Sequence, residues 1–101
     1  MSESKAVLII NAIVNKDNAS ELQNYLGGVM KVFGANGGKP VGRFKTTDAL
    51  TGENSPEMVA IIEFPNTSVI KEMVNGEAFG ALGELRARVF TMLNMFIAES
   101  M

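Results

Sequence analysis

Cysteine is missing from this chain, and so are histidine and tryptophan. Without cysteine there are no disulfides, no thiolate nucleophile and no cysteine-based zinc site. The missing imidazole removes the Ser-His-Asp triad, histidine-ligated haem and the paired-histidine zinc motif. Acid–base chemistry is left to Asp, Glu, Lys, Tyr25, water or the substrate itself. Strong charge of one sign is also lacking. The net charge is -2 and no run of Lys or Arg forms a stripe, so no phosphate-backbone footprint exists and nucleic acid is not an expected partner. No apolar run approaches the ~20 residues of a membrane span. The opening "MSESKAVLIINAIV" lacks the basic start and longer apolar region of a secretory signal. These absences give the expectation of a soluble, cytoplasmic protein with no metal and no cofactor. The glycine runs match neither a P-loop nor a dinucleotide fingerprint, so no nucleotide is assigned.

What the chain does have is apolar content, 47% of 101 residues. That fills one core and leaves apolar surface over, which suits a single domain over 1–101 and self-association. Residues 5–14, "KAVLIINAIV", read as a strand apolar on both faces. "NKDNAS" supplies a turn, with Asn18 and Glu21 spaced as a capping box and Asp17 competing for the cap. Leu22, Leu26, Val29 and Phe33 then fall on one face of a helix that "NGG" stops near Ala35. "KPVGRFKTT" reads as a second strand, placed at a sheet edge by Pro40. A polar loop, "DALTGENSPE", precedes a third strand at 57–64. Asn66 caps a short helix, "TSVIKEMV". Asn75–Gly76 breaks it, and another helix starts near Glu77 with Ala78, Leu82 and Leu85 on one side. Asn75 can cap that second piece, and Gly76, read as its first residue, should accept proline. The last strand is 89–99.

Strand, helix, strand, strand, helix, strand gives an α+β, ferredoxin-like βαββαβ fold. Its four-stranded antiparallel sheet carries helices on one face, with the first and third strands central. Alternation assigns Leu8, Ile10, Ala12, Val14, Met58, Ala60, Ile62, Phe64, Val89, Thr91, Leu93, Met95 and Ile97 to the helices. The opposite set is Val7, Ile9, Asn11, Ile13, Val59, Ile61, Glu63, Phe90, Met92, Asn94 and Phe96, with Val41, Arg43 and Lys45 from the second strand. That face is too apolar for water and too polar for a sealed core, which suits a second subunit laid over a partly polar cavity. Glu63 interrupts "MVAIIEFPN" there. A covered carboxylate needs a cation, and Arg43 or Lys45 is expected to supply it. Two readings stay open: a cross-strand or inter-subunit ion pair, and a ligand-facing carboxylate.

The stretch "IIEFPNTSVIKEMVNGEAFGALGELR" resembles the domain of unknown function 1330 family. Glu63, Phe64 and Pro65 match its strand end, Glu77 and Phe79 its acid and aromatic at the helix break, and Arg86 its helix arginine. "GGKPVGRF" is similar to the family's glycine pair and following strand. Asn75–Gly76 stands where the family usually has Ser-Pro. The resemblance implies a dimeric α+β barrel, two sheets face to face. It implies no established activity, because the wider superfamily spans monooxygenases, haem-degrading enzymes and stress-response dimers.

Three functions fit. The first is a homodimer binding a small molecule in a cavity by the sheet, with Glu63, Arg43, Arg86, Asn11 and Asn94 as ligand candidates. The second is a cofactor-independent, monooxygenase- or isomerase-like enzyme acting on a small aromatic or enolisable compound, with Glu63 as base and Arg43 or Arg86 holding an anion. The third is a structural or stress-response dimer with no ligand. Arg86 has a plainer reading too, since cations suit a helix C-terminus. Met92 and Met95 read as core filler, and Tyr25 as packing. Gly27 and Gly28 inside the first helix call for a close neighbour or a kink, since each costs roughly 1 kcal/mol against alanine.

Overall fold

A computed structural model describes residues 5–52 and 55–101. The expected Asp48–Glu57 loop therefore has Glu53 and Asn54 outside the described residues, as are positions 1–4 of the opening segment. Strand β1 (Ala6–Val14) leads through a 3-10 turn (Lys16–Glu21) into α1 (Leu22–Ala35). Strands β2 (Lys39–Lys45) and β3 (Met58–Phe64) follow. Then come α2 (Thr67–Val74), α3 (Glu77–Gly80), α4 (Gly83–Val89) and β4 (Phe90–Glu99). The sheet is antiparallel in the order β2-β3-β1-β4. This is the expected ferredoxin-like plan, with β1 and β3 central and Pro40 on an edge. Among the described residues no helix is long and apolar enough to cross a membrane.

The helix ends follow local chemistry. Asn66 Oδ1 accepts from the Val69 amide at 3.0 Å and caps α2. At the end of α1, the Gly38 amide donates to the Phe33 carbonyl (2.8 Å) and that of Gly37 to Gly34 (3.1 Å). These are the paired bonds of a Schellman ending. It needs the left-handed φ of 81° at Gly37. A Cβ on Gly38 would lie 2.8 Å from both the Phe33 carbonyl and the Phe64 ring, so this glycine also seats the helix end on the sheet.

Other ends differ from the expectation. Asn15, not Asn18 or Asp17, caps the first turn, accepting from the Asp17 amide at 3.0 Å. The Asn18 side chain donates to the Arg88 carbonyl instead, and Glu21 pairs with Arg88. Asn75 closes α2 by donating to the Lys71 carbonyl and does not cap α3. Gly76 precedes α3, and its N–H donates to the Met73 carbonyl at 3.0 Å. The helical region after β3 is therefore three pieces, because a turn at Ala81–Leu82 separates α3 from α4. Ala78 is exposed, and Phe79 takes the buried position.

The core lies between helices and sheet: Leu8, Ala12, Tyr25, Val29, Phe33, Ile62, Phe64, Ile70, Met73, Phe79 and Val89, with Ile10, Met58, Ala60, Leu93, Met95 and Ile97 packed against it. Phe33 and Phe64 meet edge to face at 5.9 Å, as do Tyr25 and Phe90 at 5.4 Å. Phe90 thus belongs to the helix side, not to the opposite face. A register shift between Ile13 and Val14 sets Val14 against Phe90 and Ile13 against Met92. That bulge makes Thr91 the extra residue, exposed rather than in the core. The paired glycines of α1 need no kink: Leu82 Cδ2 would lie 3.0 Å from a Cβ on Gly28, and Gly27 is open.

Among the described residues, no element covers the other sheet face. Val7, Ile9, Ile13, Val59, Ile61 and Met92 are half-buried by their neighbours, while Phe44 and Phe96 stand 55% and 46% exposed. Met92 therefore fills no core of its own chain.

Candidate functional site

A second bulge decides where the candidate residues go. In the β2–β3 ladder Pro40 faces Ile62 and Gly42 faces Ile61, so Val41 is extra. Proline cannot donate to a ladder, and bulges gather at such edge positions. Beyond the bulge the alternation is inverted. Lys39, Gly42 and Phe44 share the open face with Glu63, Ile61 and Val59, whereas Arg43 and Lys45 share the helix side with Ala60 and Met58. The expected Glu63–Arg43 and Glu63–Lys45 pairs are therefore excluded, since the groups lie on opposite faces. Glu63 instead pairs with Lys5, with Nζ 3.5 Å from Oε1. Val7 and Lys39 are its neighbours in the ladders. Its side chain is 34% exposed and that of Lys5 is 72% exposed, so the pair is worth at most about 1 kcal/mol.

Asn11 and Asn94 are brought together, directly opposite in the β1–β4 ladder. They form a polar spot among Val59, Ile9, Ile13, Met92 and Phe96 on the open face. Among the described residues, Asn94 Nδ2 donates to the Met92 sulfur, at 3.3 Å. Arg86 is far from both groups in role. Its Nε donates to the Tyr25 hydroxyl (3.1 Å), its Nη2 donates to the Phe79 carbonyl (2.9 Å), and its guanidinium lies 3.9 Å from the Phe79 ring centroid. Arg86 thus ties α4 to α1 and α3. The helix-terminus reading suits its neighbour Arg88 better, which holds Glu21 at 3.1 Å.

Arg43 has the most open chemistry. Among the described residues the ion pairs are Lys5–Glu63 and Arg88–Glu21, so its guanidinium has no carboxylate partner there. It stands at the lip of a cavity of about 50 Å³ between α1 and the sheet, walled by Ile10, Tyr25, Leu26, Val29, Phe33, Met58, Ala60, Phe90 and Leu93. A groove of about 360 Å³ continues from it past Met30, Pro40, Val41 and Gly42. A wider one of about 650 Å³ runs past Lys45, Thr46, Pro56 and Glu57, again with Arg43 in its wall. Glu57 is already engaged, accepting from the Val14 amide at 3.1 Å. Sequence reasoning identified Arg43 but misplaced it, and missed the aromatic wall of Tyr25 and Phe90. Tyr25 sits three residues after Leu22 on the apolar stripe, which was the available signal. Among the described residues no three His, Cys, Asp or Glu side chains gather as metal ligands.

Comparison with solved structures repeats the fold. A protein of unknown function from Rhodopseudomonas palustris superposes with a TM-score of 0.82 at 17% identity, covering 98% of this chain and 84% of that one. A dabb family protein with a ferredoxin-like fold from Mesorhizobium loti gives 0.71 at 9% identity, over 98% and 99% of the two chains. A putative antibiotic biosynthesis monooxygenase from Bacteroides thetaiotaomicron gives 0.65 at 13% identity, over 97% and 90%. At such identities the likeness is one of fold. No curated protein matches the sequence. The model of the family described as domain of unknown function (DUF1330) matches residues 5–101. By that match across nearly its whole length, the chain belongs to this family.

Proposed function

We propose that this protein is a cytoplasmic homodimer that binds a small molecule in the cavity between α1 and the sheet. The observation that carries the binding role is Arg43: a guanidinium without a carboxylate partner among the described residues, at the lip of an apolar cavity. Arg86, Arg88 and Lys5 each bond to another group of the chain, whereas the exposed Arg43 side chain bonds to none among the described residues. The second copy covers the open sheet face. Val59, Ile61, Met92, Phe44 and Phe96 are apolar side chains of that face, Phe44 and Phe96 the most exposed of them. Burying them against a second copy removes apolar surface from water.

The enzyme reading gave Glu63 the role of base beside Arg43. With the two on opposite faces, no carboxylate among the described residues lines the cavity, and binding is the reading the geometry favours. The test is a ligand-observed NMR screen of small aromatic and aliphatic compounds against the protein and against Ala60→Leu, which fills the cavity. Compounds that bind the first and lose contact with the second are expected. No binder, or equal binding to both, refutes the role.

A further inference from the structure

Building on that binding role, we propose that the ligand is a slender apolar monocarboxylate, its hydrocarbon end in the cavity and its carboxylate on Arg43. The shape of the space sets the first part. The closed end holds only about 50 Å³, far below the roughly 300–1,000 Å³ of a pocket that swallows a drug-sized ligand. It admits a chain end or one ring edge, and the body of the ligand lies in the adjoining groove of about 360 Å³. The walls are hydrocarbon: Val29, Phe33, Ala60, Phe90 and Leu93. Met30 forms the lip, 38% exposed, and an unbranched thioether adapts to an entering chain.

Charge sets the second part. Among the residues shared by the cavity and the groove, Arg43 is the one charged group. A planar guanidinium fork matches a carboxylate with two parallel hydrogen bonds. A dianionic phosphate takes more donors, such as a helix N-terminus or a nest of amides. Neither lines this space: Met30 lies in the middle of α1, and the other groove residues come from strands β2 and β3. A cationic ligand would meet Arg43 as a like charge, and a neutral one would leave it without its charge-assisted bonds. One cation at the mouth of a hydrocarbon slot therefore selects one negative charge on a hydrocarbon body.

Isothermal titration of the full-length protein at neutral pH with hexanoate and benzoate, each against its own primary amide, tests this. At least one carboxylate should bind about tenfold or more tighter than its amide. The gap should close in Arg43→Met, which keeps the apolar stem, and should narrow as salt is raised. Circular dichroism of Arg43→Met should match the wild type, because the Arg43 side chain is exposed and bonds to nothing among the described residues. If the amides bind as tightly as the acids, the binding role stands and the carboxylate assignment falls. If neither acids nor amides bind, while a screen still finds ligands lost in Ala60→Leu, the assignment alone falls; if that screen is also empty, both fall.

Discussion

Arg86 shows how much one side chain does in the helical layer. It donates to the Tyr25 hydroxyl and the Phe79 carbonyl and stacks on the Phe79 ring. Lysine has neither the fork nor the flat face. Arg86→Lys should therefore cost about 1–3 kcal/mol in urea unfolding, close to the loss in Arg86→Met. Full rescue by lysine would show that charge at the end of α4 is all that matters. Glu21 provides a pH signature. The Arg88 hydrogen bond holds its carboxyl below the ordinary value of 4.5. A depressed folded pKa means stability present above about pH 4.5 and lost as the pH falls through the lower, folded value. The stability gap between wild type and Glu21→Gln, followed by urea unfolding from neutral pH to pH 3, should shrink towards acid. A gap that stays constant would remove the pair from the pH dependence.

Elements were legible in this sequence wherever a pattern repeats, and illegible where one residue interrupts it. The stripe Leu22, Leu26, Val29, Phe33 and the glycines after Ala35 mark α1 and its end, and both are present. The two bulges were not legible. Val41 and Thr91 each shift the alternation by one residue, and a single extra residue puts the side chains before it out of phase with those after it. That is why Arg43 changed sides and Phe90 entered the core. Glu63 was placed on the correct face because β3 carries no bulge; only its partner was missed, since Lys5 precedes the first strand. The break after α2 carries its own prediction. Gly76 donates its N–H to Met73, and Asn75 before it sits at φ -94° and ψ 0°. Proline would remove that bond and oppose that conformation. Gly76→Pro should lower stability by about 1 kcal/mol or more in thermal or urea melts. A variant as stable as wild type would place Gly76 inside the first turn of α3 with a free amide.

At the scale of the whole molecule, the proposed function divides two tasks between the two faces of one sheet. Val59 and Ala60 are adjacent in β3, yet Ala60 lines the cavity under α1 and the groove beside it, and Val59 looks out from the open face. Binding and assembly should therefore separate by mutation: Ala60→Leu blocks the cavity and leaves the dimer, whereas Val59→Glu places a charge in the interface and leaves the cavity and its groove. Asn11 and Asn94 lie near the middle of that open face. Polar groups inside an apolar interface fix register at a cost in stability. Covering the face removes apolar surface from water at roughly 25 cal/mol per Å² before association costs. Sedimentation equilibrium at micromolar concentration tests the assembly most directly. The account predicts twice the chain mass for the wild type and a folded monomer for Val59→Glu. A wild type that sediments as a folded monomer at that concentration would contradict it.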